Sequence, residues 1–259
     1  TVERLVAYHI ETAKTAANAP ERCPGPEVSE DITAAARKIL ENGDPLTEHQ
    51  NYVTAKVCGG EKPARAITLS GYSAYVEGDR LHSDVVGGAQ SGKSTTTITS
   101  LECFPDENVL IASEASPKSL YYLAQQQPER LKDAIIYIDD ARPEHIPVLK
   151  TFRNESSVQP TNITVADGEF LELIVQYRPV VIASAVTPLR DHEGQATSRA
   201  LLVSVPDATP EEEKEVRERI RQQIATSAIL SQKTDAKRLI LQQMVRILRD
   251  EGIRNVAIP

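Results

Sequence analysis

The chain has 259 residues, 40% hydrophobic and 25% charged, which is enough to bury a core and excludes a chain disordered by composition. Lys and Arg number 29 against 37 Asp and Glu, and the net charge of −8 excludes a surface coated with nucleic acid while leaving room for a local basic groove. No apolar run approaches the ~20 residues needed to cross a bilayer, and no signal-peptide core opens the sequence, so membrane insertion and export are not expected.

Cys23, Cys58 and Cys103 have neither metal-ligand nor paired spacing. They support no zinc site and no disulfide framework, and an odd number suits a reducing cytoplasm. The sequence opens on Thr1 rather than Met and stops at Pro259 soon after a helical pattern, which reads as a piece of a longer protein.

In chain order, Thr1–Ala17 is compatible with a helix, and the prolines and glycine of Pro20–Pro26 break it. Ile32–Glu41 reads as a helix ended by Asn42-Gly43. Ala66–Val76 has enough Ile, Leu, Tyr and Val to hold short strands. Residues 1–80 carry no chemistry and read as a small, mainly helical extension. From about residue 81 strands and helices alternate. His82–Val86 is a short apolar strand, and a helix follows the next loop through Cys103. Then come the strand Asn108–Ser113, a helix near Ser119–Gln126, the apolar run Ala134–Ile138, and a helix over Pro143–Arg153.

Asn162–Val175 is two β-prone stretches around Asp167-Gly168, a hairpin signal. The strands Val180–Ala185 and Ala200–Val205 complete an α/β core over residues 81–207. Strands joined by helices predict right-handed crossovers and a parallel sheet covered on both faces. Residues 208–259 read as a C-terminal helical lid. Val216, Ile220 and Ile224 form one apolar stripe there, and Leu241, Met244, Val245 and Leu248 form another.

Gly87, Gly88, Ala89, Gln90, Ser91, Gly92, Lys93 and Ser94 satisfy G-x-x-x-x-G-K-S/T at every defined position, with Thr95 next. Glycines let the loop turn its N–H groups inward around phosphate oxygens, and a helix opening at Lys93 adds its positive end. Lys93 would reach the β and γ phosphates, and Ser94 would place its hydroxyl on Mg²⁺. Downstream, the apolar strand ends in Asp139 and Asp140. Asp139 would hold Mg²⁺ directly or through water, and Asp140 would orient or deprotonate the attacking water.

No guanine-selective N-K-x-D follows the loop, and no Arg-rich lid suits a second phosphate substrate. In a parallel sheet, Val180–Ala185 would end beside the acidic pair. Thr187 then takes the role of sensing the γ phosphate, with Ser184 as the alternative. Arg199, just before Ala200, can reach a neighbour's γ phosphate as an arginine finger or make an ordinary surface salt bridge; Arg190 competes less well.

This order of features, over Leu81–Asp207, resembles the AAA+ ATPases with a hairpin before sensor 1, the group that contains MCM helicases and superfamily-three viral helicases. Asp139-Asp140 is similar to the Asp-Asp of papillomavirus-type members. Thr187-Pro188 stands where MCM proteins carry Asn-Pro, and Ser198-Arg199 resembles their Ser-Arg finger. Ser113–Leu120 and Asn255–Pro259 are similar to MCM-like ATPases of mobile elements. The resemblance implies a P-loop motor that binds ATP and Mg²⁺ and self-associates into a ring, as a hexamer. It implies DNA as partner, other replication proteins in reach, and no membrane. A helicase loader or protein-remodelling ATPase is the alternative.

One departure bears on DNA. Where translocating relatives carry Lys or Arg at the hairpin tip, this chain has Ala166, Asp167, Gly168 and Glu169, which would repel phosphate. DNA contact then falls to Lys150, Arg153 or a further domain. Lys237, Arg238, Arg246, Arg249 and Arg254 form a basic stretch that reads first as a solvated helix face with i,i+4 partners, of the kind expected for Glu213–Arg217 and Glu215–Arg219. The histidines have no ligand spacing, and the aromatics form no base-stacking series.

Overall fold

A computed structural model describes residues 28–57, 60–76, 78–113, 116–154, 161–166, 169–189, 199–207, 209–218, 221 and 235–251. Its centre is a five-stranded sheet in the order β2-β3-β6-β1-β7. The strands are β1 (His82–Val86), β2 (Val109–Ala112), β3 (Ile135–Ile138), β6 (Val180–Ala185) and β7 (Ala200–Ser204), and every pairing is parallel. β1, β3 and β6 are buried along their whole length, and β3 and β6 accordingly read as nearly continuous apolar runs, whereas β1 buries the polar His82, Ser83 and Asp84 ahead of its two valines. The α/β class and the parallel sheet are as expected from sequence.

Helices cover both faces. On one, α5 (Pro117–Gln126) and α6 (Ile146–Phe152) bury Ile136, Ile138, Val181 and Ala183. On the other, Val85, Tyr137, Ile182 and Val203 meet Ile67 of α3 (Glu61–Tyr72) and Leu101 of α4 (Lys93–Leu101). β4 (Thr161–Ala166) and β5 (Glu169–Ile174) form the expected antiparallel hairpin, Ala166 opposite Glu169, and β5 runs alongside α5. The tip residues 167 and 168 lie outside the described residues, as do the helix expected over Thr1–Ala17, Arg190 and Ser198.

The N-terminal third departs from the sequence reading. Ala66–Val76 is not strand: it belongs to α3 and a 3₁₀ turn, Ser73–Tyr75. Ala64, Ile67, Thr68 and Gly71 recur at three- and four-residue spacing and are all buried, so packing one helical face overrides the β propensity of individual residues. The predicted helix Ile32–Glu41 is α1 (Glu30–Asn42). A further helix, α2 (Pro45–Lys56), follows it, started by Pro45 at its first turn. The Asp44 carboxylate accepts from the N–H groups of Leu46 at 3.0 Å and Thr47 at 3.2 Å.

The C-terminal helix α7 (Ala236–Asp250), the best described part of the region expected to form a lid, packs against the N-terminal helices. Its Leu241, Met244 and Ile247 share a core with Ala36 of α1, Tyr52 and Val53 of α2, and Cys103. Its polar side binds the segment leading into β2, at the end of the sheet opposite the loop. Gln242 donates to the Glu102 carbonyl at 3.0 Å, Arg238 pairs with Asp106 at 2.6 Å, and Arg246 grips Glu107 through two bonds of 2.9 Å. Arg249 adds Asn108 at 2.9 Å, and Lys237 pairs with Glu48 of α2. Lys237, Arg238, Arg246 and Arg249 are therefore spent on pairs with distant segments of the same chain rather than on i,i+4 partners along the helix, and Arg254 lies outside the described residues. Glu213–Arg217, at 3.2 Å, does form the expected helical pair. Among the described residues no helix is long and apolar enough to cross a membrane.

Two buried histidines give the fold a pH dependence. His49 is enclosed by the rings of Tyr72 and Phe104, and His82 accepts the Val181 N–H at 3.1 Å through Nδ1. Burial lowers both to about 3. Below the ordinary pKa of ~6.5 the unfolded chain takes up protons that the folded chain refuses, so stability falls as pH drops from there towards 3, by about 1.4 kcal/mol per histidine per pH unit. Urea unfolding is expected to lose about 3 kcal/mol between pH 6.5 and 5, and His49→Leu to lose about half as much. An unchanged slope in that variant would sink the assignment.

Candidate nucleotide-binding site

The loop after β1 lies at the C-terminal end of the parallel sheet, where open α/β folds bind ligands. Gln90 has φ +67° and Gly92 φ +85°, which curl the chain before Lys93 starts α4. Gly92 is the residue before that helix, and its carbonyl accepts from the Thr96 N–H at 2.8 Å. Gly87 leaves no room for a side chain: a Cβ there would stand 2.5 Å from the Val205 carbonyl oxygen. Lys93 Nζ donates back across the loop to the Gly88 carbonyl at 3.1 Å, and Ser91 Oγ is buried without a hydrogen-bond partner. Ala89, Gln90 and Thr95 are exposed.

β3 delivers Asp139 to the same place. Its Oδ1 accepts from Ser94 Oγ at 2.9 Å, Tyr137 Oη at 2.8 Å, Ser184 Oγ at 2.7 Å and the Asp140 N–H at 3.1 Å. Partial burial alone would raise this carboxyl, but the three hydroxyls and the amide outweigh it and hold the pKa below the ordinary carboxylate value. Tyr137 is pushed up to about 12, chiefly by burial, so its phenol stays protonated and remains a donor. Asp140 has φ +51°, which Asp tolerates better than most residues, and its exposed carboxylate lies 3.4 Å from Arg142.

β6 lies between β1 and β3, and this brings Ser184, not Thr187, to the acidic pair. The Ser184 hydroxyl reaches Asp139 and accepts from the Asp140 N–H at 3.2 Å, while Thr187 is exposed beyond the end of the strand. Arg199 stands before β7 at the far end of the sheet and donates to Asn154 Oδ1 at 3.1 Å. Arg153 is not a DNA contact. It is buried and pairs with Asp84 of β1 at 2.6 Å, with side-chain exposures of 1% and 3%. Tyr137 has no role in the sequence reading, although a lone hydroxyl in the aliphatic run before two carboxylates is a signal for it.

A parallel sheet with this loop between its first strand and the next helix is a P-loop NTPase fold, a nucleotide-binding class. The chain belongs to the MTBMA_p00010 P-loop domain family, whose model matches residues 30–251. It is 24% identical over 178 residues to the uncharacterized protein MTBMA_p00010 of Methanothermobacter marburgensis, strain Marburg. That match takes in 68% of this chain and 22% of the relative, so the chain spans under a quarter of that protein's length.

The residues present fit a nucleotide with Mg²⁺. The loop has close-packed glycine where phosphate must approach the backbone, and an orphaned buried hydroxyl at Ser91. Ser94 and Asp139 supply an oxygen donor pair of the kind a hard cation takes.

Proposed function

We propose that this chain is an ATP-hydrolysing motor domain of the AAA+ type, working in a hexameric ring as a DNA replication helicase of a plasmid, virus or integrated mobile element. The observation that supports it best is the strand order. With β6 between the loop strand and the acid strand, the loop, the acidic pair and a polar hydroxyl share one end of the sheet. A hairpin precedes β6, as in the group that the sequence resembles.

In this reading the N–H groups of Gly87–Thr95 bind the phosphates, and Lys93 leaves the Gly88 carbonyl for the β and γ oxygens. Ser94 and Asp139 hold Mg²⁺, which supplies positive charge against the phosphate oxygens. Asp140 orients and deprotonates the attacking water. Ser184 takes the sensor role in place of Thr187, because its hydroxyl already touches both acidic residues. Arg199 serves the site of a neighbouring subunit.

A second reading, a loader or remodelling ATPase acting on a protein, is favoured by the basic side chains of α7. Lys237, Arg238, Arg246 and Arg249 are engaged with Glu48, Asp106 and Glu107 and are not free to grip phosphate. The two readings separate on ATP hydrolysis measured with and without single-stranded and forked DNA, at low salt, across a protein concentration series. The motor reading expects turnover to rise with both protein and DNA. Turnover that rises with protein but ignores DNA would replace it with the second reading.

A further inference from the structure

We propose that Tyr137 is a positioning residue for the cation, fixing the orientation in which the Asp139 carboxylate meets Mg²⁺. The inference rests on the nucleotide-site reading above. Tyr137 and Asp139 are two residues apart on one strand and its extension, so their side chains stand side by side on the same face. The phenol oxygen lies 2.8 Å from Asp139 Oδ1 and 3.1 Å from Ser184 Oγ. Its single proton goes to the charged acceptor, the stronger of the two. Ser184 donates its own proton to the same Oδ1.

All four donors to Asp139 use Oδ1, and among the described residues none falls on Oδ2. The arrangement clamps one carboxylate oxygen to the protein and turns the other towards a ligand. The donors differ in kind. Ser94 belongs to the phosphate loop and is itself a candidate ligand, so its hold on Asp139 changes with whatever the loop binds. Tyr137 belongs to the sheet. Its ring is fully buried beside Val85 and Ile182, and a rigid aromatic with two side-chain torsions keeps its hydroxyl in place. Hydrogen bonds of this sort to a metal-ligating carboxylate are worth about 10–100-fold in metal affinity.

A merely structural Tyr137 would be a core aromatic whose hydroxyl needs some partner. Tyr137→Phe keeps the ring and removes the donor, and it separates the two roles. The probe is a fluorescent ATP analogue, its binding followed in EDTA and then titrated with Mg²⁺. The expected result is a Mg²⁺ midpoint raised about tenfold, with binding in EDTA within about twofold of the unsubstituted protein. An unchanged midpoint overturns the proposal. So does a parallel loss of binding with and without Mg²⁺, which is what a packing defect would give. If the unsubstituted protein binds no analogue under either condition, the nucleotide-site reading falls and the Tyr137 role with it; if it binds, only the Tyr137 role is at stake.

Discussion

Lys93→Ala is expected to lower ATP turnover by about three orders of magnitude or more, with the fold left intact. The ammonium now sits on a loop carbonyl, 3.1 Å from Gly88 O, a single hydrogen bond at a half-buried position, so its loss changes stability little. Its value lies in the reaction. Charge on the transferring phosphoryl group spreads over its outer oxygens, and a fixed cation there stabilises the transition state more than the ground state. A loss of that size corresponds to about 4 kcal/mol of barrier, within reach of one charged contact in a site shielded from water. Lys93→Arg is not expected to restore activity. A planar fork cannot fill the place of a compact ammonium that makes its contact back across the loop to the Gly88 carbonyl. Steady-state hydrolysis with a thermal melt of each variant checks both points; turnover within tenfold of the unsubstituted protein would remove Lys93 from the site.

The parts of the molecule legible in the sequence are those where one residue type has one physical use. Gly87 and Gly92 answer to a close approach to the Val205 carbonyl and a positive φ, so the loop announces itself. Asp167-Gly168 marked the hairpin for the same reason. The extent of β6 reads correctly as Val180–Ala185, but which of Thr187 and Ser184 meets Asp139 depends on β6 pairing between β1 and β3, with Ser184 opposite Val85, and that long-range register is written in no single segment. α3 was hidden because Ile and Tyr raise β propensity while their burial follows a helical period that only the sheet beneath it explains. The place of α7 is not legible locally, since Arg246 meets Glu107 across a sequence separation of 139 residues. Nothing local in either segment specifies the other.

Arg199→Ala is the second large effect, and it tests assembly as well as chemistry. Arg199 comes immediately before Ala200, which pairs with His82 at the start of β1, while the phosphate loop follows Val86 at the other end. At ~3.3 Å per residue the arginine stands about 20 Å along the sheet from its own loop, too far to serve it. Asn154 holds the guanidinium at 3.1 Å, at the end of α6. The variant is expected to bind nucleotide as the unsubstituted protein does while turnover falls about a thousandfold, the size of effect arginine fingers have in phosphoryl transfer. Mixing decides between a neighbour's site and its own. Lys93→Ala subunits have a dead loop and a sound arginine, and Arg199→Ala subunits the reverse, so neither hydrolyses ATP alone. In an equimolar mixture of randomly assembled rings, roughly a quarter of the interfaces join a sound loop to a sound arginine, and activity is expected to return to about that level. If the mixture stays inactive although both variants assemble, Arg199 acts within its own subunit's structure, and a ring would no longer be needed to explain it.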